Sequence, residues 1–439
     1  MAYSPWLFHQ LDRTNGSGVN QPPPLPYQCP GQSQPISKAV HLGRLARFYP
    51  ACGSCPHRDD TATLSPRQVS QLRDVYQRQA RATLFFEEGV SGTYLDDLRP
   101  GDVRQLAVAH GLFIRGQQNA EWDYPRVVIA SDGRPLTADL LAAVSEGLRF
   151  AGCAVVDIGY ATAPCLVFAM DHLKAVGGLY VGNVRGGPGE VSLKFWGGQA
   201  RPLSAGGDLD QLERMLAAPL SRPIRRYGSL RRFRADVAYL ACLHKYFHAL
   251  RPLRIVVSTG NAQLLNYLQQ LGATVACEMI PLPGYVASDQ VGETLAEKVV
   301  AAKAHVGIWI DGDGEACRLV DEGGRAVTGE TTLQLLSPLL IAEQRQAAVA
   351  VANSCSAATE EAIRQSGATV HRCDGSRAEM HRVLSDREGV VGADGEGRFW
   401  FHDHLPSADA LKALAVLLNV LSQGDQDLSQ RATAVEVVR

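Results

Sequence analysis

Hydrophobic and polar positions fall into three similar blocks. The first runs from Arg126-Val-Val-Ile-Ala through the polar turn Asp132-Gly133-Arg134 to an amphipathic stretch around Leu140 to Phe150, then Gly152 and a second apolar run, Cys153 to Asp157. The second runs from Arg254-Ile-Val-Val through Leu264 to Leu271, Gly272 and the run Ala273 to Cys277, and the third from Ala348-Val-Ala-Val through Thr359 to Gln365, Gly367 and Ala368 to Arg372. Short β-branched runs alternating with helical periodicity read as strand, helix, strand. A glycine behind each helix suits the left-handed C′ position. The blocks recur at about a hundred residues, the length of a domain, which argues against one large doubly wound sheet. Three consecutive α/β domains are therefore predicted, over 79–220, 221–322 and 323–425, with an arm and linker over 1–78 and a tail over 426–439.

Residues 1–28, with Gly16-Ser17-Gly18 and Pro22-Pro23-Pro24, carry little periodicity and predict an extended arm. Ser65-Pro66 followed by Val69, Leu72 and Val75 predicts a helix with serine at the N-cap and proline at its first position. Between them lie Cys29, Cys52, Cys55 and His57, a Cys-x2-Cys knuckle with a further thiol and an imidazole that can close a tetrahedral zinc site. A segment this short holds little core, so a structural zinc would supply the missing folding energy; plain thiols are the alternative. Catalysis by Cys52 or Cys55 is not expected, since no partner Asn or Asp stands at a known spacing.

The composition, 46% hydrophobic and 20% charged over 439 residues, is ordinary for a globular protein with several cores. Lysine and arginine number 43 against 45 aspartates and glutamates, so no net field recruits nucleic acid or an anionic membrane. No run approaches the roughly 20 apolar residues needed to span a bilayer, and the amino terminus lacks a secretion signal. The ten scattered cysteines fit a cytoplasmic protein with reduced thiols.

The densest negative cluster follows the apolar run His305 to Ile310: Asp311 and Asp313, then Glu315, alternate with Gly312 and Gly314. This predicts a buried strand feeding a tight loop that aims three carboxylates at one point, suited to Mg²⁺. An acidic turn without a metal is the alternative.

Several motifs together resemble the α-D-phosphohexomutases, the phosphoglucomutase and phosphomannomutase family, over residues 83 to 422. Glu88-Gly89-Val90-Ser91-Gly92 resembles the family's opening Gly-Ile-Arg-Gly turn. Gly177 to Pro188, ending Leu193-Lys194-Phe195, is similar to its Gly-Gly-Ile-Met-Ile-Thr-Ala-Ser-His-Asn-Pro-Pro loop and Gly-Phe-Lys. Asp311 to Glu315 resembles the metal loop Asp-Gly-Asp-Gly-Asp-Arg, and Gly392 to Phe399 falls where the family places its sugar-binding Gly-Glu-x-Ser-Gly-His. The resemblance implies mixed sheets covered by helices, a sugar-phosphate substrate, Mg²⁺ and a phosphoserine that donates its phosphoryl group.

Against that pattern, Val184 stands at the phosphoserine position, Arg185 replaces the neighbouring histidine, Glu315 replaces the third metal aspartate and Ala316 the arginine behind it. Asp394, Glu396 and Arg398 replace the Glu, Ser and His of the sugar loop, and the chain is expected to lack the family's fourth domain. Valine has no oxygen to carry phosphate. Ser192 is a poor substitute nucleophile, because a reacting oxygen must sit within about 3.5 Å of phosphorus and the family has glycine there; an ordinary surface serine is expected. Arg185 and Lys194 are the candidate phosphate ligands, and Asp394, Glu396 and Arg398 the candidate sugar contacts. With Val184 unable to complete the metal shell, Mg²⁺ is expected to bind weakly or not at all.

Two functions follow from different classes. One is a sugar-phosphate-binding or scaffold protein that has lost phosphoryl transfer; the other is a mutase whose missing domain is supplied by a partner chain and whose chemistry uses another donor, with a protein partner or a homo-oligomer as the candidate assembly. A third takes the Cys/His segment as a docking module. Fold alone does not choose among them.

Overall fold

The computed structural model describes residues 27–80, 84–117, 124–183, 187, 189–217, 219–220, 227–282, 291–344, 346–403 and 405–437. The chain divides into two compact units between Tyr76 and Gln77.

The amino-terminal unit is small. A two-stranded ribbon, Tyr27–Gln28 with Pro35–Ile36, precedes helices Lys38–Ala46 and Pro66–Ala80. Ser65 caps the second helix as its sequence predicts: its hydroxyl accepts Gln68 N at 3.3 Å, while Gln68 Oε1 accepts Ser65 N at 3.0 Å. The described core of this unit is a cluster of Leu45, Cys52 and Leu72 with Leu42, Phe48 and Leu64 packed beside it.

The larger unit holds three sheets. The second runs in the order Glu278–Pro281, Arg254–Thr259, Val306–Ile310, Cys317–Asp321, Ala326–Val327, and the third in the order Thr369–Cys373, Ala348–Ala352, Val391–Ala393, Phe399–Phe401, Ser407–Ala408. In both, the first two pairings are parallel and the last two antiparallel. The first sheet repeats this arrangement through Ala154–Tyr160, Arg126–Ser131, Gly177–Gly182, Glu190–Trp196 and Gly89–Thr93, and adds edge strands Phe85–Phe86 and Leu230–Arg232. Shared order and shared parallel and antiparallel pattern make the threefold repeat structural, and these are mixed sheets with helical layers.

Three readings of the sequence need correction. Leu230–Arg232 belongs to the first sheet and Ala326–Val327 to the second, so both boundaries lie later in the chain than 220 and 322. In the middle block Gly272 completes helix Ala262–Gly272, and the strand begins only at Glu278; a left-handed glycine follows the helix in the other two blocks, at Gly152 (φ 84°) and Gly367 (φ 95°). The expected tail instead forms helix Leu428–Val437, with Leu428 buried and Ser429 N donating to Glu322 at 3.2 Å.

One continuous apolar cluster joins the sheets through residues such as Val128, Val257, Ile308, Val351 and Leu414. Helix Ala410–Ser422 is buried along most of its length, which explains its near-continuous apolar sequence. Among the described residues no helix is long and apolar enough to cross a membrane.

Candidate active site

The acidic loop leaves the buried strand Val306–Ile310 and is fixed by backbone contacts to three helix starts. Ala163 N, in the first turn of helix Ala163–His172, donates to Asp313 O at 2.9 Å; Ala410 N, opening helix Ala410–Ser422, donates to Gly314 O at 3.1 Å. Asn261, the N-cap of helix Ala262–Gly272, donates from Nδ2 to Gly312 O at 2.7 Å. Helix N-termini carry partial positive charge, so this placement favours an acidic loop. Two glycines permit the approach. Gly314 sits at φ 80°, and a Cβ on Gly182 would lie 2.2 Å from Asp313 Oδ1.

Side chains from all three sheets meet at this loop. Lys194, on the central strand Glu190–Trp196, is 1% exposed and places Nζ 2.7 Å from Asp313 Oδ2, 2.6 Å from Glu315 Oε2 and 3.9 Å from Glu88 Oε2. The Asp313 contact is electrostatic and lacks hydrogen-bond geometry, whereas that to Glu315 is a hydrogen bond. Arg377, the first residue of helix Arg377–Arg387, donates from Nη2 to Glu315 Oε1 at 2.9 Å and lies 4.8 Å over the Trp196 ring. Glu315 thereby offsets a cation at the unfavourable end of its helix. Arg398 grips Glu88 with both Nη atoms, Nη2 at 3.0 Å from Oε2. Three cations thus face three carboxylates, and each is paired.

Burial alone would raise the Glu315 carboxyl, but Arg377, Lys194 and Arg398 outweigh it and hold the group at about 2. Burial would likewise raise Glu88, and Lys194, Arg398 and Arg377 hold it below the ordinary range. Burial would lower Lys194, but Asp313 and Glu315 keep it above the ordinary lysine value. Asp311, which retains partial exposure, is pushed up to about 7 by burial and by the charge of Asp313.

The sequence predicted that Asp311, Asp313 and Glu315 aim at one point. Only Asp313 and Glu315 converge; Asp311 Oδ1 turns back to accept Glu315 N at 2.7 Å and Ala316 N at 3.1 Å. Asp313 Oδ1 accepts Asn183 N at 3.0 Å. The two converging oxygens already meet at the Lys194 ammonium, leaving no place for a cation that needs oxygens at about 2.1 Å. Among the described residues no three His, Cys, Asp or Glu side chains form a group able to hold a metal. The Mg²⁺ that the resemblance implies does not fit this arrangement.

The remaining expected contacts are distributed differently. Val184 and Arg185 lie outside the described residues. Asp394 shapes its own loop, its Oδ1 accepting Glu396, Gly397 and Arg398 N at 2.8, 3.0 and 3.1 Å; Glu396 is exposed, and Arg398 is engaged by Glu88. Ser192, expected on the surface, is buried at 1% exposure opposite Ser91 and Gly182, because strands flank it on both sides. Arg377 carried no local signal: its role depends on Glu315 and Trp196, distant in sequence. Glu88 could have been read as the acid nearest the opening turn.

In the amino-terminal unit Cys29, Cys52 and Cys55 are all buried, at 4%, 2% and 4% exposure. Cys55 N donates to Cys52 O at 3.2 Å, the turn expected of a knuckle. Burial and the neighbouring Cys29 and Cys55 raise the Cys52 thiol, and Arg44 opposes this. Arg44 Nη1 donates to Cys29 Sγ at 2.9 Å. His57 is exposed, its ring edge-on to Tyr27 at 5.4 Å, and Tyr27 stacks on His41 at 4.2 Å.

Residues 82–215 match the family described as phosphoglucomutase/phosphomannomutase, alpha/beta/alpha domain I. Over 358 residues the chain is 24% identical to the phosphohexose mutases of Xanthomonas campestris pv. campestris, covering 79% of this chain and 78% of the relative. A phosphoglucosamine mutase of Renibacterium salmoninarum is 27% identical over 367 residues, covering 80% and 81%. Among solved structures, a phosphoglucomutase/phosphomannomutase family protein from Burkholderia thailandensis superposes with a TM-score of 0.72 at 20% identity, covering 82% of this chain and 80% of that one. A phosphomannomutase-type structure from Thermus thermophilus gives 0.67 at 20% identity, covering 81% and 83%. Residues 82–215 thus match domain I of the phosphoglucomutase/phosphomannomutase family, and about four-fifths of the chain is similar in sequence and fold to phosphohexomutases.

Proposed function

We propose that this protein keeps the phosphohexomutase fold without phosphoryl transfer and acts as a binding or scaffold protein. The observation that carries this reading is Val184, an isopropyl group at the position that matches the family's phosphoserine. A phosphoenzyme route channels a very large rate enhancement through one covalent intermediate, and a valine side chain has no oxygen to form it. The charge pairing described above supports the reading. Lys194 is buried between carboxylates, and Arg398 is already engaged by Glu88. Mutase activity is the second reading, favoured by the names of the relatives.

The test incubates the protein with Mg²⁺, glucose 1,6-bisphosphate and glucose 1-phosphate and follows glucose 6-phosphate and intact mass. No turnover above background and no mass gain are expected. Turnover that tracks the purified protein, or one added phosphoryl group, would select the mutase. Because Val184 is only one of the altered positions, Val184→Ser alone is expected to leave the protein inactive.

For the amino-terminal unit we propose structural zinc held by Cys29, Cys52, Cys55 and His57. The support is three buried thiols beside a guanidinium that donates to one sulfur, in a unit with little apolar core. Three thiolates on Zn²⁺ leave net negative charge, which Arg44 is placed to offset. The side chains would have to close further, since they do not form a ready-made ligand group.

A further inference from the structure

We infer that Lys194 is the resident cation of the acidic loop, its ammonium taking the place of a divalent ion and making the joint between the three sheets independent of metal. This deepens the reading above, but its test is separable, because metal uptake is measured without turnover.

The position of Lys194 is fixed by the sheet. Its strand, Glu190–Trp196, is hydrogen-bonded on both sides, to Gly177–Gly182 and to Gly89–Thr93. Side chains alternate along a strand, and the flanking Leu193 and Phe195 pack into an apolar cluster, so Lys194 must project from the other face. There it meets Asp313 and Glu315 at 2.7 and 2.6 Å while 1% exposed.

Charge explains why a monovalent group suffices. A divalent ion would bring two positive charges to Asp313 and Glu315. Lys194 brings one and Arg377, on Glu315, brings the second, while Arg398 balances Glu88. Adding a divalent ion to this set would place excess positive charge in a largely buried site, which is unfavourable unless an ammonium leaves. The same side chains connect the structure: Glu88 and Lys194 come from the first sheet region, Asp313 and Glu315 from the loop of the second, Arg377 and Arg398 from the third. A backbone pair, Cys317 N to Gly397 O at 2.9 Å, closes the joint between second and third.

The experiment titrates full-length protein with Mn²⁺, following the paramagnetic signal of the free ion, and compares melting with and without 10 mM (about 10⁻² M) MgCl₂. Thiolate sites prefer zinc to either ion, so the cysteines do not confuse the readout. Wild-type protein is expected to leave the Mn²⁺ signal undiminished into the millimolar range and to melt within about 1 °C with or without Mg²⁺. Lys194→Ala is expected to melt lower, to regain part of the loss on adding Mg²⁺, and to bind Mn²⁺ at least about tenfold more tightly than wild type. Uptake of one Mn²⁺ per wild-type chain at micromolar affinity would overturn the inference. So would a soluble Lys194→Ala protein that gains no cation response. If the variant does not fold, the wild-type titration decides alone.

Discussion

The charge cluster of the body and the cysteine cluster of the amino-terminal unit bury ionisable groups in opposite ways. In the body, Glu88, Asp313 and Glu315 find their counterions within the same chain, from Lys194, Arg377 and Arg398. In the amino-terminal unit, three buried thiols have one guanidinium, on one sulfur. A buried charge is tolerated when paired, and thiols without a cation stay protonated or await a metal. The difference teaches that motifs which both look like metal sites in sequence can be closed internally in one case and left open in the other.

Zinc removal should give the largest effect. Metal binding in small cysteine modules is worth about 10–16 kcal/mol at neutral pH and is largely folding energy. Chelation should therefore expose residues 27–76 to protease while the body stays intact, and Cys52→Ser should do the same. Elemental analysis of purified protein should find about one zinc per chain; less than about half an equivalent would mean both clusters manage without metal, which breaks the comparison.

Next comes the ammonium itself. Lys194→Met leaves Asp313 and Glu315 facing each other without their shared cation, and breaking a buried pair in this way costs about 3–5 kcal/mol. Chemical denaturation of the body should show this loss. A change below about 1 kcal/mol would mean that Lys194 is dispensable to the joint.

Acid separates the charge cluster from its surroundings. Burial lowers His110 to about 4, and burial lowers His381 to about 4 as well, aided by nearby His402, Arg201 and Arg377. Both values lie below the ordinary 6.5, so the unfolded chain takes up protons first. This stability is present above pH 6.5 and is lost as pH falls towards 4, by at most about 3 kcal/mol for each histidine. Glu315, held at about 2, contributes stability that is present above its ordinary 4.5 and is lost only as pH falls towards 2. Melting temperature against pH should therefore decline in two windows. His381→Gln should shrink the upper one, because a neutral side chain there has no proton to gain.

The smallest effect tests geometry. Arg398→Lys keeps the charge but loses the two-pronged grip on Glu88, at a cost of about 1 kcal/mol. No measurable change in denaturant midpoint would reduce that contact to simple charge.

The two clusters also differ in how far they could be read from sequence. Cys-x2-Cys is a local spacing, and its turn appears as Cys55 N to Cys52 O. The acidic loop was legible as a loop behind a buried strand, since Val306 to Ile310 is apolar and Gly314 takes a left-handed conformation. Its occupant was not. Lys194 was a candidate phosphate ligand as the basic side chain of the stretch that resembles the family's Gly-Phe-Lys, and only the packing of the sheets shows that it points at Asp313 and Glu315.

The sequence by itself determined the elements and their repetition: alternating short apolar runs and amphipathic stretches fix strands and helices locally, and three copies imply three like sheets. It also determined that residue 184 cannot accept a phosphoryl group. The tertiary structure decided which charges meet. Glu88 and Arg398 are far apart along the chain, as are Lys194 and Glu315, and no local pattern records such a pair. Charge pairing depends on distances of a few ångströms, and those are set only when the three sheets pack.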